Sequence, residues 1–172
     1  ASNPLWNASQ NSRDKGSNLL LNNYFMAEYF PTTEWRVRAR LGLTYGNDDT
    51  EKFYSRNDTR YENVETTKKG EFHSNNVRTN QVEAELSVTY AKVLGKHRIN
   101  LVAGGNISSN KSLTQGYSAV GFPDGDFSYP SFSNGYPEYG TPAYYESVSR
   151  SVNGYFNAGY SFDDRYLMDF SL

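Results

Sequence analysis

The chain has 172 residues and a formal net charge of −2; 37% of it is hydrophobic and 16% aromatic, with 15 Tyr, 10 Phe and 14 Gly. No run approaches the roughly 20 apolar residues of a transmembrane helix. The charge balance argues against a general nucleic-acid binder, and the lack of cysteine excludes disulfides and thiolate metal sites. The tyrosine and glycine load points to an all-β chain with long loops. A strongly polar average does not exclude a membrane protein, because a barrel wall carries only alternating apolar positions.

Residues 1–18 read as polar loop. Leu19 to Phe30 reads as a strand, with Leu19, Leu21, Phe25, Ala27 and Tyr29 on one face. Pro31-Thr32-Thr33-Glu34 makes a tight turn, since proline ends a ladder and presets a turn dihedral. The next run, Trp35 to Tyr45, is the clearest in the chain. Trp35, Val37, Ala39, Leu41, Leu43 and Tyr45 fall on one face, and Arg36, Arg38, Arg40, Gly42 and Thr44 on the other. A helix would mix the two sets, so period two makes this a strand. Ten steps of about 3.3 Å at a tilt near 40° cover about 25 Å, the height of the apolar band of an outer-membrane barrel, with aromatics at its two boundaries.

Residues 46–80 read as a long hydrophilic connection. Gln81 to Leu94 alternates again, with Val82, Ala84, Leu86, Val88 and Tyr90 opposite Gln81, Glu83, Glu85, Ser87 and Thr89. Gly95-Lys96-His97 turns the chain into a fourth strand, Arg98 to Asn110, which carries Ile99, Leu101, Ala103, Gly105 and Ile107 on one face. Residues 111–147 read as a second long loop, rich in Gly, Pro, Tyr and Phe. Val152, Phe156, Ala158, Tyr160 and Phe162 mark a fifth strand, Asp163-Asp164-Arg165 a turn, and Tyr166, Met168, Phe170 and Leu172 the start of a sixth.

The connections therefore run short, long, short, long, short. Outer-membrane barrels sort their loops this way, with short periplasmic turns and long extracellular loops. About eight strands are needed for the smallest barrel. The chain is thus read as an arc of a larger one: an antiparallel up-and-down meander of about six strands, with residues 1–172 a partial barrel domain. Arg36, Arg38, Arg40, Glu83 and Glu85 are expected to face the lumen, and Val37, Leu41, Leu86, Leu101, Ala103 and Phe156 outer-membrane lipid. Antiparallel pairing of the second and third strands is expected to bring Arg40 near Glu85.

Three stretches carry a family resemblance: NPLWNAS (3–9), GYSAVGFPDGDFSYPSFSNGYPEYGTPAYYES (116–147) and DDRYLMDFSL (163–172). Together they resemble the SusC/RagA family of TonB-dependent outer-membrane transporters of Gram-negative bacteria. The resemblance implies a barrel of about 22 strands with a plugged lumen and energised import of oligosaccharides or peptides. It also implies a SusD-like surface lipoprotein as lid, and TonB acting through parts outside this chain. In the 111–147 loop, Tyr129, Phe132, Tyr136, Tyr139 and Tyr144 are candidate contacts for substrate or partner, because tyrosine anchors bind at low entropic cost. The alternative is that such rings pack the loop against itself. At the level of the whole chain, a soluble carbohydrate-binding β-sandwich and a surface adhesin module remain the competing readings.

No catalytic set emerges, and the chain is read as a non-enzyme without cofactor or metal. Glu83 and Glu85 stand about 7 Å apart, a spacing an inverting glycosidase could use, but lumen-lining carboxylates facing arginines explain them without chemistry. His73 and His97 are the only histidines and are read as solvated. In Gly116-Tyr117-Ser118-Ala119-Val120-Gly121 the second glycine falls one residue late for a nucleophile elbow. Asp124-Gly125-Asp126 could offer oxygens to calcium, although a turn explains it as well.

Overall fold

A computed structural model describes residues 3–172. Its strands are β1 (Arg13–Tyr29), β2 (Trp35–Tyr54), β3 (Glu71–Leu94), β4 (His97–Val120), β5 (Ala143–Phe162) and β6 (Tyr166–Ser171). A short helix, α1 (Pro4–Ala8), precedes them, and single 3-10 turns sit at Thr59–Tyr61, Thr66–Lys68 and Pro130–Phe132. The strands form one antiparallel sheet of six in the order β1-β2-β3-β4-β5-β6.

All six expected strands are present, and the main correction concerns their length. The stretch expected to be loop before residue 19 contains α1 and the first residues of β1. The 46–80 connection shrinks to 55–70, because β2 runs on to Tyr54 and β3 starts at Glu71. The 111–147 loop shrinks to 121–142 in the same way, so Tyr117 lies on β4 and Tyr144 on β5. Much of these extensions is polar on both faces, as in Gly46-Asn47-Asp48-Asp49, and their apolar residues are too isolated for period two to show.

The chain divides into two compact units. The first comprises Ala1–Leu20, Gly46–Thr79 and Ser112–Ser147. Its core is small: Phe53, Phe72, Ala119 and Phe122 are buried, with Tyr117 packed against them. Phe53 and Phe122 meet edge to face at 5.0 Å. Phe122 is delivered by the first turn of the 121–142 loop. There the Gly121 N–H donates to Gly70 O at 3.1 Å and the Phe122 N–H to Lys69 O at 2.8 Å. Gly121 has φ +78, and a Cβ there would lie 2.1 Å from the Thr67 carbonyl oxygen, so only glycine fits. The α1 helix, capped by Asn3, is tied to the 55–70 loop. Trp6 Nε1 donates to Asn57 O at 2.9 Å, and the Thr59 N–H donates to Asn7 Oδ1 at 3.0 Å.

The second unit comprises Leu21–Tyr45, Asn80–Lys111 and Val148–Leu172. Its register is regular. The Ala91 N–H donates to Glu34 O at 2.9 Å, Trp35 rests on Tyr90 at 4.7 Å, and Arg40 meets Glu85 five residues further along β2. The β5–β6 hairpin pairs Phe162 with Tyr166 through Asn157 with Ser171. Its three-residue turn places Asp163 and Asp164 at φ 51 and 52, a left-handed conformation that aspartate tolerates better than most residues.

One face of this unit carries large apolar side chains with nothing over them. Leu86 is 55% exposed, Ile107 57%, Phe170 59% and Val152 80%. Monomeric proteins in water rarely leave so broad an apolar face uncovered. A β-sandwich would cover such a face with a second sheet, and among the described residues there is only one sheet.

The Phe53–Phe72–Phe122 cluster gives a first prediction. Phe122→Ala should weaken the first unit by about 3–5 kcal/mol. The measurement is limited proteolysis, with faster cleavage in 55–70 and 121–142 and no new cuts in 80–111. Unchanged cleavage would show that Phe122 is not what holds these loops.

Candidate functional site

The polar face of the second unit carries the densest set of interacting side chains. Alternation sends Arg36, Arg38 and Arg40 of β2 to this face, along with Glu83 and Glu85 of β3. Arg38 Nε meets Glu28 Oε1 at 2.7 Å, and Arg40 Nη1 meets Glu85 Oε2 at 3.3 Å. The expected Arg40–Glu85 neighbourhood is therefore present. Arg36 has no ion pair among the described residues. Glu83 Oε1 accepts from Gln81 Nε2 at 2.6 Å.

Tyr155 of β5 completes the centre. Its hydroxyl donates to Glu85 Oε1 at 3.0 Å, reaching that carboxylate across β4. It can do so only because β4 has Gly104 beneath the ring: a Cβ there would lie 2.5 Å from the Tyr155 hydroxyl. The same device recurs on β2, where a Cβ at Gly42 would come within 3.0 Å of the Tyr24 ring. Glu85 is thus held from two sides, by a guanidinium and by a phenol, and Tyr24 and Tyr155 lie over their neighbouring strands. Beside them Asn153 Nδ2 donates to Asn106 Oδ1 at 2.8 Å, and the Ser108 and Ser151 hydroxyls meet at 2.7 Å. Period two puts Tyr24, Asn106 and Tyr155 on the polar face, but it assigns them no role, since only the register shows which of them meet. A glycine at a polar-face position between tyrosine-bearing strands was the available signal.

The aromatic candidates lie in the first unit and do not converge. Phe132 packs on Phe127 at 5.0 Å, and Tyr136 sets its edge against Tyr117 at 6.4 Å. The Arg13 guanidinium lies 5.9 Å from the centre of the Tyr129 ring. Tyr139 is 97% exposed, with φ 61. Tyr144 is exposed on β5, its hydroxyl donating to Glu146 Oε2 at 3.4 Å. Phe122 is in the core, Phe132 and Tyr136 touch neighbouring rings while remaining exposed, and Tyr129, Tyr139, Tyr144 and Tyr145 present surface.

The minor candidates are also placed. Asp124 Oδ1 accepts from Asn57 Nδ2 at 2.8 Å and from the Gly125 N–H at 3.1 Å. The Asn57 hydrogen bond, helped by that of Gly125, holds this carboxyl below the usual carboxylate range. The oxygen is thus taken up by N–H donors in a turn. The histidines, expected to be solvated, both have protein partners. His73 Nδ1 lies 2.8 Å from Ser118 Oγ and Nε2 3.2 Å from Glu71 Oε1, and His97 Nδ1 lies 2.7 Å from the Tyr160 hydroxyl. In the loop between β2 and β3, burial pushes the Tyr61 phenol well above its ordinary range, with Glu71 adding to the shift.

A double-mutant cycle tests the Glu85 anchor. Arg40→Ala and Glu85→Ala should couple by up to about 1 kcal/mol, because both side chains are partly exposed. Gly104→Ala should abolish the Tyr155 contribution by lifting its ring. Additive effects of Arg40→Ala and Glu85→Ala in denaturant unfolding would remove the pair as a stabilising element.

No protein-family model matches the chain, and no curated protein matches it by sequence. Solved structures do match. The RagAB peptide transporter superposes with a TM-score of 0.80 at 16% identity, over 93% of this chain and 18% of that one. The RagAB peptide importer in its closed-closed state gives 0.80 at 18% identity, over 93% and 17%. Its open-open state gives 0.73 at 16%, over the same shares. The chain spans less than a fifth of the length of these transporters. The SusC/RagA resemblance of the sequence and the likeness of the fold meet in the same proteins, and the fold is that of an open arc of a barrel-like transporter.

Proposed function

We propose that this chain is a wall segment of a TonB-dependent outer-membrane importer. The observation that carries the reading is the second unit's sheet, apolar and uncovered on one face and lined with paired charges and amides on the other. The fold likeness to the RagAB peptide transporter supports it. In this reading Val37, Leu41, Leu86, Leu101, Ala103 and Phe156 meet lipid, and Arg36, Arg38, Arg40, Glu83 and Glu85 face the lumen. The short turns lie on the periplasmic side. TonB acts through parts of the protein outside this chain, and no step of the chain's own work requires catalysis.

The cargo in this reading is a large nutrient, either an oligosaccharide or a peptide, and a SusD-like lipoprotein closes the extracellular mouth. The exposed rings of Tyr129, Tyr139 and Tyr144 are the surface offered to the lid or to incoming cargo, together with the exposed parts of Phe132 and Tyr136.

Single cysteines in the full-length protein test the facing. A membrane-impermeant maleimide should label positions 36, 38 and 40 faster than 37, 39 and 41. A charge at position 41 or 86 should cost about 2–4 kcal/mol, against little at 36. The reverse labelling order would overturn the assignment. For the loop, the triple variant Tyr129→Ser, Tyr139→Ser, Tyr144→Ser should leave the barrel heat-resistant but reduce co-purification of the lid or uptake. Full retention of both would limit these rings to packing.

A further inference from the structure

The two faces of the second unit differ in charge as well as in polarity. The apolar face, that of Val37, Leu86, Leu101 and Phe156, takes the odd positions of β1, β2 and β4 and the even positions of β3, β5 and β6. Within this unit no Asp or Glu of any strand falls in that set, and its only formal charges are Lys92, Lys111 and Arg150. The carboxylates of the strands, Glu28, Glu83, Glu85 and Asp169, all stand on the opposite face. The three cations are not equivalent. Lys92 lies near the short turns, where Glu34 answers it at 3.8 Å. That end of the face also carries rings, Trp35 on Tyr90 at 4.7 Å and His97 on Phe162 at 5.0 Å. Lys111 and Arg150 lie at the other end, toward the long loops. Asn106 meets Asn153 and Ser108 meets Ser151 across β4 and β5, so antiparallel pairing sets Ser109 beside Arg150 and Lys111 beside Val148 on the apolar face. Lys111 and Arg150 are therefore diagonal neighbours, about 7–8 Å apart at the backbone. Arg150 has no hydrogen bond or ion pair among the described residues, and it stands between the exposed Val148 and Val152.

Water solvates an arginine in such a stripe without help. Where lipid covers the stripe, the guanidinium has to reach headgroup level and meet an anion there, because hydrocarbon does not solvate it. A phosphate fits this position. The guanidinium fork can take two phosphate oxygens at once, and Lys111 and the Ser109 hydroxyl offer further donors from the next strand. We propose that Arg150, with Lys111 and Ser109 beside it, holds the phosphate of a lipid in the outer leaflet. The proposal rests on the importer reading, which puts this face in lipid and the long loops outside the cell, and deepens it by naming a partner for that face. The absence of any carboxylate from the outward set is what makes the rim complementary to an anionic headgroup.

The test uses the full-length protein purified in detergent with its native partner and stripped of its own lipid. The probes are lipid A carrying a phosphate, the same lipid with the phosphate removed, and inorganic phosphate. Bound lipid is counted by native mass spectrometry. The wild-type protein should retain phosphorylated lipid A about tenfold over the dephosphorylated form, the scale of one charge-assisted hydrogen bond. Arg150→Gln should remove most of that preference and Lys111→Gln part of it, while Lys92→Gln leaves it unchanged. Heat-modified gel migration controls for folding. A preference that survives Arg150→Gln, or that Lys92→Gln lowers as much, overturns the site. Displacement of the lipid by inorganic phosphate would make this a site for the free anion and overturn the assignment to lipid. Equal retention of the two lipids also overturns the site, while leaving the importer reading intact. A protein that stays dispersed without detergent and retains neither lipid would remove the importer reading itself.

Discussion

The constraint on which the rest of the structure depends is unbroken period two in the second unit. A strand that slips by one residue turns every side chain to the opposite face. In β2 such a slip would carry Arg36, Arg38 and Arg40 to the apolar side and expose Trp35, Leu41 and Leu43 among the carboxylates. Each paired contact of the polar face, Arg38 with Glu28 and Arg40 with Glu85, pins the register against that slip. Their individual energies are small, since the side chains are half exposed. Their effect is on specificity, because a shifted pairing would leave several charges unmatched at once.

Space is the second constraint, and it explains why glycine appears on a face otherwise built for side chains. Gly42 and Gly104 are the floors on which Tyr24 and Tyr155 lie. A phenol standing upright from β5 could not reach Glu85 on β3; lying flat over Gly104, it does. The network is thus written in three strands at once, and its members are far apart in sequence.

That separation also marks the limit of what the sequence discloses. The strands of the second unit were legible because Trp35–Tyr45 and Gln81–Leu94 alternate apolar with polar residues, and the turns because Pro31, Gly95 and the Asp163-Asp164 pair interrupt them. Pairing order followed from the alternation of short and long connections, and Arg40 beside Glu85 from taking β2 and β3, joined by a long loop, as antiparallel neighbours. The extensions of β2, β3 and β4 were not legible, because segments such as Ser74-Asn75-Asn76 have polar residues on both faces. What makes them strands is pairing with neighbours and a few buried rings, Phe53, Phe72 and Phe122, that are isolated in sequence. Of the candidate site, the charged residues were visible, but the Asn106–Asn153 and Ser108–Ser151 contacts were not, since each depends on the register between β4 and β5.

The two tryptophans, Trp6 and Trp35, fall one in each unit. Trp6 has its indole N–H on the Asn57 carbonyl, in the company of loop backbone. Trp35 lies against the Tyr90 ring, close enough for the phenol to pass excitation to it. Their emission therefore differs in origin and in surroundings. The chain carries two native optical reporters, so that replacing either tryptophan by phenylalanine leaves a single-colour readout of one unit, with no dye or tag attached.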